Sequence, residues 1–132
     1  MDRLADFIRR SAGEEWVERW SDCGPWQLRW VELVTGRTTS LPPYHDRETM
    51  LAMVKAHGGL TALVGEICEV LGLYETLTPK RGDIGVVAHR CAVGGEAGAI
   101  FLGQKWVVRI RQQGRAINAT CNVKMVRAWR VE

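Results

Sequence analysis

The spacing of apolar residues changes at Arg81, and that change constrains the fold more than any other feature of the chain. Before it, apolar side chains recur three and four positions apart, as one face of a helix requires. After it come short β-branched runs separated by turns, as strands require. The first part predicts four helices. Residues 2–10 carry Leu4, Ala5, Phe7 and Ile8 as a stripe that ends at Ser11-Ala12-Gly13. Residues 22–35 carry Trp26, Trp30, Leu33 and Val34 and close on Gly36, which accepts the left-handed conformation. Leu41-Pro42-Pro43-Tyr44 forbids regular structure. Asp46 then caps a helix through Ala56, Gly58-Gly59 breaks it, and Leu60 to Leu71 forms the fourth around Leu63, Val64 and Ile67. The second part predicts strands at Ile84–Ala88, Ala97–Leu102, Trp106–Ile110, Ala116–Thr120 and Val126–Val131. Helices first and strands afterwards imply an α+β fold, with N-terminal helices packed on a C-terminal antiparallel sheet. The expected unit is one domain over 1–132, with a helical half at 1–73, a connector, and a sheet half at 81–132.

Composition narrows the function. With 132 residues, 46% of them hydrophobic, the chain has apolar material for a single core. Eighteen basic against fifteen acidic side chains leave a net charge of +3, too weak and too dispersed to argue for nucleic acid. No apolar run approaches the roughly 20 residues of a membrane helix. The first residues, Met1-Asp2-Arg3, are charged and start no apolar leader, so a cytosol-like site of synthesis is expected. Cys23, Cys68, Cys91 and Cys121 form no Cys-x-x-Cys pair, and His45, His57 and His89 have no ligand spacing. No metal and no cofactor is expected.

Asp22-Cys23-Gly24-Pro25-Trp26 places a cysteine where a helix begins. Asp22 suits the N-cap, and Pro25 is tolerated in the first turn because no intrahelical partner is lost there. Cys23 stands three residues before Trp26, so its sulfur points along the buried face, where the positive end of the helix dipole favours thiolate. The alternative is a small buried residue at the helix–sheet contact, with Asp22 serving only as a cap. Asp83 reads as a carboxylate that stabilises the turn before a strand.

These residues carry a resemblance. Asp22-Cys23-Gly24, then Arg81-Gly82-Asp83-Ile84-Gly85-Val86-Val87, then Glu96-Ala97-Gly98-Ala99-Ile100-Phe101-Leu102-Gly103 follow the order of motifs in the NlpC-type cell-wall peptidases, a papain-like group of cysteine hydrolases. The similarity spans roughly residues 20–110 and implies a papain-like fold. More narrowly, the chain resembles a small family of unsettled function encoded in phage and prophage tail clusters. The features that carry this are Gly58-Gly59-Leu60, Arg81-Gly82-Asp83 and Arg127-Ala128-Trp129-Arg130-Val131.

One departure shapes what the resemblance implies. In the peptidases a histidine opening the second strand deprotonates the cysteine, and Glu96 stands there instead. A carboxylate beside the sulfur would raise the thiol pKa and is too acidic to hold its proton. The family's third polar group falls near Val108 or Arg109; valine orients nothing, and arginine accepts no proton. His89, at the end of the first strand, adjoins the start of the second in an antiparallel hairpin, which makes Cys23 and His89 the candidate catalytic pair. The other reading of His89 is a solvated turn residue.

The resemblance therefore implies a non-enzymatic structural or assembly component of a phage tail, at the tip or baseplate, made in the host cytoplasm and carried in the virion. Its partners would be other tail proteins, met through a catalytically degenerate docking module. Six tryptophans exceed what one small core should absorb, so Arg19, Trp20, Trp129 and Arg130 are the candidate contact residues. The alternative is an active cysteine peptidase that cuts peptidoglycan peptides as the phage enters its host.

Overall fold

The computed structural model describes residues 2–19, 22–90 and 92–132. Four helices precede five strands: α1 (Arg3–Ser11), α2 (Cys23–Thr35), α3 (Arg47–Ala56), α4 (Leu60–Leu71), β1 (Ile84–Ala88), β2 (Glu96–Phe101), β3 (Trp106–Gln112), β4 (Arg115–Cys121) and β5 (Met125–Trp129). The order of the sheet is β4-β3-β2-β1-β5, and every pairing is antiparallel. The architecture is thus α+β, as the change of period predicts.

Local chemistry sets the boundaries. The Asp2 carboxylate caps α1 by accepting from the amides of Leu4 and Ala5. Asp46 and Thr49 form a reciprocal capping box at α3, which holds two otherwise orphan amides. Gly36 and Gly72 close α2 and α4 at φ 73° each, a conformation that costs other residues about 1 kcal/mol or more. α1 runs on to Ser11, past the expected stop, because the Ser11 hydroxyl is buried and accepts from the Trp26 indole at 3.0 Å.

The sheet buries both of its faces, so the apolar material divides into two clusters rather than one core. Ile84, Val86, Ile100, Val107 and Trp129 face the helices and pack against Trp26, Trp30, Leu63 and Ile67. Val87, Ala97, Ala99, Trp106, Val108 and Ala128 form the opposite face, with Ala92 and Val123 from the adjoining loops. This division absorbs the tryptophans that one core could not: Trp26, Trp30 and Trp129 belong to the first cluster and Trp106 to the second.

Two glycines allow close packing on the two faces. A Cβ on Gly85 would lie 2.7 Å from the Trp106 ring, and one on Gly98 would lie 2.6 Å from the Gln27 side-chain oxygen. Gln27 is buried and donates to the carbonyls of Gly85 at 2.8 Å and Ala99 at 2.7 Å. Those bonds seat α2 directly over the β1–β2 pair. They bring Cys23, the first residue of α2, to the strand that carries Glu96.

Candidate functional site

α2 positions Cys23 at its first turn, beside the backbone amide of Gly98. The sulfur does not gain the expected thiolate character. Burial pushes the thiol pKa above its ordinary value, outweighing the Gly98 amide, and the neighbouring Asp22 charge pushes the same way. The dipole argument fails because a whole charge and a desolvated sulfur outweigh the partial charge of a helix end.

Asp22 occupies the N-cap position of α2, but its side chain makes no cap hydrogen bond. Its Oδ2 instead accepts from the Tyr44 hydroxyl, which the loop after Leu41-Pro42-Pro43 carries into the interior. Its Oδ1 is buried without a hydrogen-bond partner. Burial is the largest influence on this carboxyl and raises its pKa, although the Tyr44 bond opposes the shift. The same pair raises the pKa of the Tyr44 phenol, through burial first and the Asp22 bond second.

The parity of the strands decides the fate of the candidate base. Ala88 pairs with Glu96, and His89 donates its amide to the Gly95 carbonyl at 2.9 Å, so the hairpin does bring His89 to the start of β2. Side chains alternate along β1, however, and His89 continues the parity of Val87 rather than that of Val86. It therefore falls on the sheet face away from α2. There its Nε2 lies 3.9 Å from the sulfur of Cys121, while its Nδ1 is buried without a partner. Neither ring nitrogen is hydrogen bonded to Cys23, so the candidate pair of Cys23 and His89 is not assembled.

Glu96 has the opposite parity and does face the helices. Its Oε1 accepts from the Thr61 hydroxyl of α4 at 2.9 Å. On β3, Val108 packs in the outer cluster, and Arg109 faces inward with its guanidinium committed elsewhere. Arg109 donates to the Ser11 carbonyl at 3.0 Å, to Asn118 Oδ1 at 2.8 Å and to Glu14. Burial lowers its pKa to about 10 against the pull of Glu14. It ties the segment after α1 to the sheet.

The candidate contact residues separate in the same way. Trp129 is only 2% exposed and packs under the Arg127 guanidinium, so it is a core residue and offers no contact surface. Arg130 is spent on Asp83 at 3.0 Å and on Thr76 and Thr78, so it too is structural. Arg19 is exposed, with φ 69° and its guanidinium 5.6 Å from the centre of the Tyr44 ring. Trp20 lies outside the described residues, as does Cys91. Cys68 is buried as a small apolar residue, its thiol pKa pushed up to about 12. Among the described residues no group of three His, Cys, Asp or Glu side chains is placed to hold a metal ion.

Sequence reasoning missed Tyr44 and Gln27. A tyrosine after two prolines reads as a loop residue, and nothing local shows that its hydroxyl reaches Asp22. Gln27 lies on the same helix face as Trp26 and Trp30, and a polar residue on an apolar stripe was the available signal.

A family model described as a domain of unknown function, DUF6950, matches residues 1–131. No curated protein matches the chain, and no solved structure does.

Proposed function

We propose, starting from membership of the DUF6950 family, to which this chain belongs, that the protein is a non-enzymatic structural or assembly component of a phage tail. In this reading a papain-like, NlpC-type fold has lost its chemistry and serves as a docking module at the tail tip or baseplate. The phage context comes from the motif resemblance alone. The loss of chemistry rests on one observation: among the described residues, neither of the expected bases is hydrogen bonded to Cys23. Glu96, at the position of the base, is hydrogen bonded to Thr61, and the imidazole of His89 is on the other face of the sheet, next to Cys121. A thiol whose pKa is raised and that is bonded to neither expected base is a poor nucleophile at neutral pH.

A docking role needs surface, and Trp129 and Arg130 do not supply it. Better candidates lie along β5. Residues Tyr74 to Thr76 run beside that strand, with the Thr76 amide donating to the Ala128 carbonyl and the Arg130 amide to the Tyr74 carbonyl. Tyr74 on this segment is 83% exposed, Leu77 just after it 85%, and Val126 of β5 is also exposed. Large exposed apolar side chains of this kind suit a protein partner.

The competing reading, an active peptidoglycan peptidase, is favoured by the placement of Cys23 at the start of α2 beside the Gly98 amide. Two measurements separate the readings. Mass spectrometry of purified tailed particles is expected to find this chain in the virion, and incubation with muropeptides is expected to release no product. Cleavage that Cys23→Ala abolishes would overturn the docking reading, and a chain missing from every particle would remove its phage context.

A further inference from the structure

α3 is held to the rest of the domain more weakly than the helices beside it. α2 and α4 bury five residues each, whereas none of the ten residues of α3 is buried. Among the described residues, one hydrogen bond links α3 and its caps to another element. It joins His57 Nδ1 and Glu66 Oε2 of α4 at 2.9 Å, on the exposed surface. The start of the helix needs no outside support, because Asp46 and Thr49 make its capping box by themselves.

What seats α3 is apolar contact, chiefly the partly buried Met53 and Val54 against the inner cluster. That contact is incomplete. A cavity of about 120 Å³ lies between α2, α3 and α4, and Met50, Met53 and Val54 line it from the α3 side. Side chains that face a void forfeit the dispersion contacts of a filled interior, which loosens the seat. The chain is also articulated at both ends of the helix. Pro42 and Pro43 precede it in irregular backbone. Gly58 and Gly59 follow it at φ 90° and 109°, in the region that favours glycine, and α3 and α4 meet there at a bend of 75°.

We propose that α3 is a lid, hinged at Gly58-Gly59, that opens while the sheet and the other helices stay folded. Opening uncovers the cavity and two thiols that line it, Cys23 at the start of α2 and Cys68 on α4. Cys68 is 0% exposed when the lid is closed, so its reaction with a reagent reports the open form. A ten-residue helix detached from its core is marginal in water, so the amides of α3 lose protection in the same event. The inference is independent of the phage reading, because it concerns motion within the domain.

The test uses the full, unmodified chain in urea below the unfolding midpoint. Site-resolved mass spectrometry of iodoacetamide labelling follows Cys68, and amide hydrogen exchange follows α3 and β1. Cys68 is expected to label at least about tenfold faster than global unfolding allows. Its rate should rise with urea less than about half as steeply as global unfolding does, because a lid exposes only part of the surface. The amides from Met50 to Ala56 should share the opening free energy and urea slope of Cys68, while β1 exchanges only through global unfolding. Labelling of Cys68 at the free energy and slope of global unfolding would overturn the lid. Fast labelling with the α3 amides as protected as those of β1 would overturn it too, since the reagent would then enter without the helix moving.

Discussion

Cys23 shows how little a residue's place in a motif says about its reactivity. Two influences favour its thiolate, the start of α2 and the Gly98 amide, and two oppose it, burial and the Asp22 charge. Burial is the largest, so the folded thiol titrates above the roughly 8.5 of a free cysteine. The sign of the pH dependence follows. At pH 7 to 8 the folded chain holds less thiolate at Cys23 than an unfolded one, and the shortfall closes only as pH rises through the raised value. Site-resolved mass spectrometry of iodoacetamide labelling should find Cys23 slower than an exposed cysteine at pH 7.5, with a rate still climbing above pH 9. A rate already level below pH 7 would show a thiolate and sink this account. The cysteine at a helix start was legible in the sequence. Its electrostatics were not, because Tyr44 and Gly98 reach it from 21 and 75 positions away and no local pattern records them.

At the scale of elements, most of the fold was legible. α2, α3, α4 and β1 have the bounds that capping and periodicity predict, and the other elements differ by a few residues at their ends. Caps and glycines act on their own neighbours, so their signals survive in the sequence. The face each strand presents was harder to read. Ile84-Gly85-Val86-Val87 is apolar throughout because both sides of β1 are buried, and a continuous run carries no alternation. That ambiguity hid the parity of His89. The seat of α2 on the sheet makes a sharper prediction. Gly98 lies against Gln27 so closely that any Cβ must displace the amide that bridges Gly85 and Ala99. Gly98→Ala should therefore destabilise the protein by about 1–3 kcal/mol, read as a lower urea midpoint. A midpoint unchanged or raised would mean that Gln27 moves freely and does not fix the helix.

Across the whole molecule, two charge clusters, each built on one buried side chain, join parts of the chain that are far apart in sequence. Arg109 on β3 binds Ser11, Glu14 and Asn118, which fastens the N-terminal segment to the sheet. Asp83 receives the Lys80 amide at 2.8 Å, Arg130 Nε at 3.0 Å and the Val131 amide at 3.1 Å, which fastens the chain's end beside β1. Asp83 is thus more than the turn residue its position suggests. Removing the carboxylate leaves the Lys80 and Val131 amides and one edge of the Arg130 guanidinium without an acceptor, so Asp83→Ala should cost about 1–3 kcal/mol. Hydrogen exchange should then show β5 losing protection first, and uniform loss across the sheet would argue against a local clasp. By itself the sequence determined the class of the fold, the order of its elements and their caps, because periodicity and capping act over three or four residues. Only the tertiary structure decided that β5 returns to lie beside β1, that Trp26, Trp30 and Trp129 share one cluster while Trp106 joins another, that His89 meets Cys121 and that Asp22 meets Tyr44. Those encounters depend on strand parity, register and the seat of a helix on a sheet, and each of these is set by contacts between residues distant in the chain.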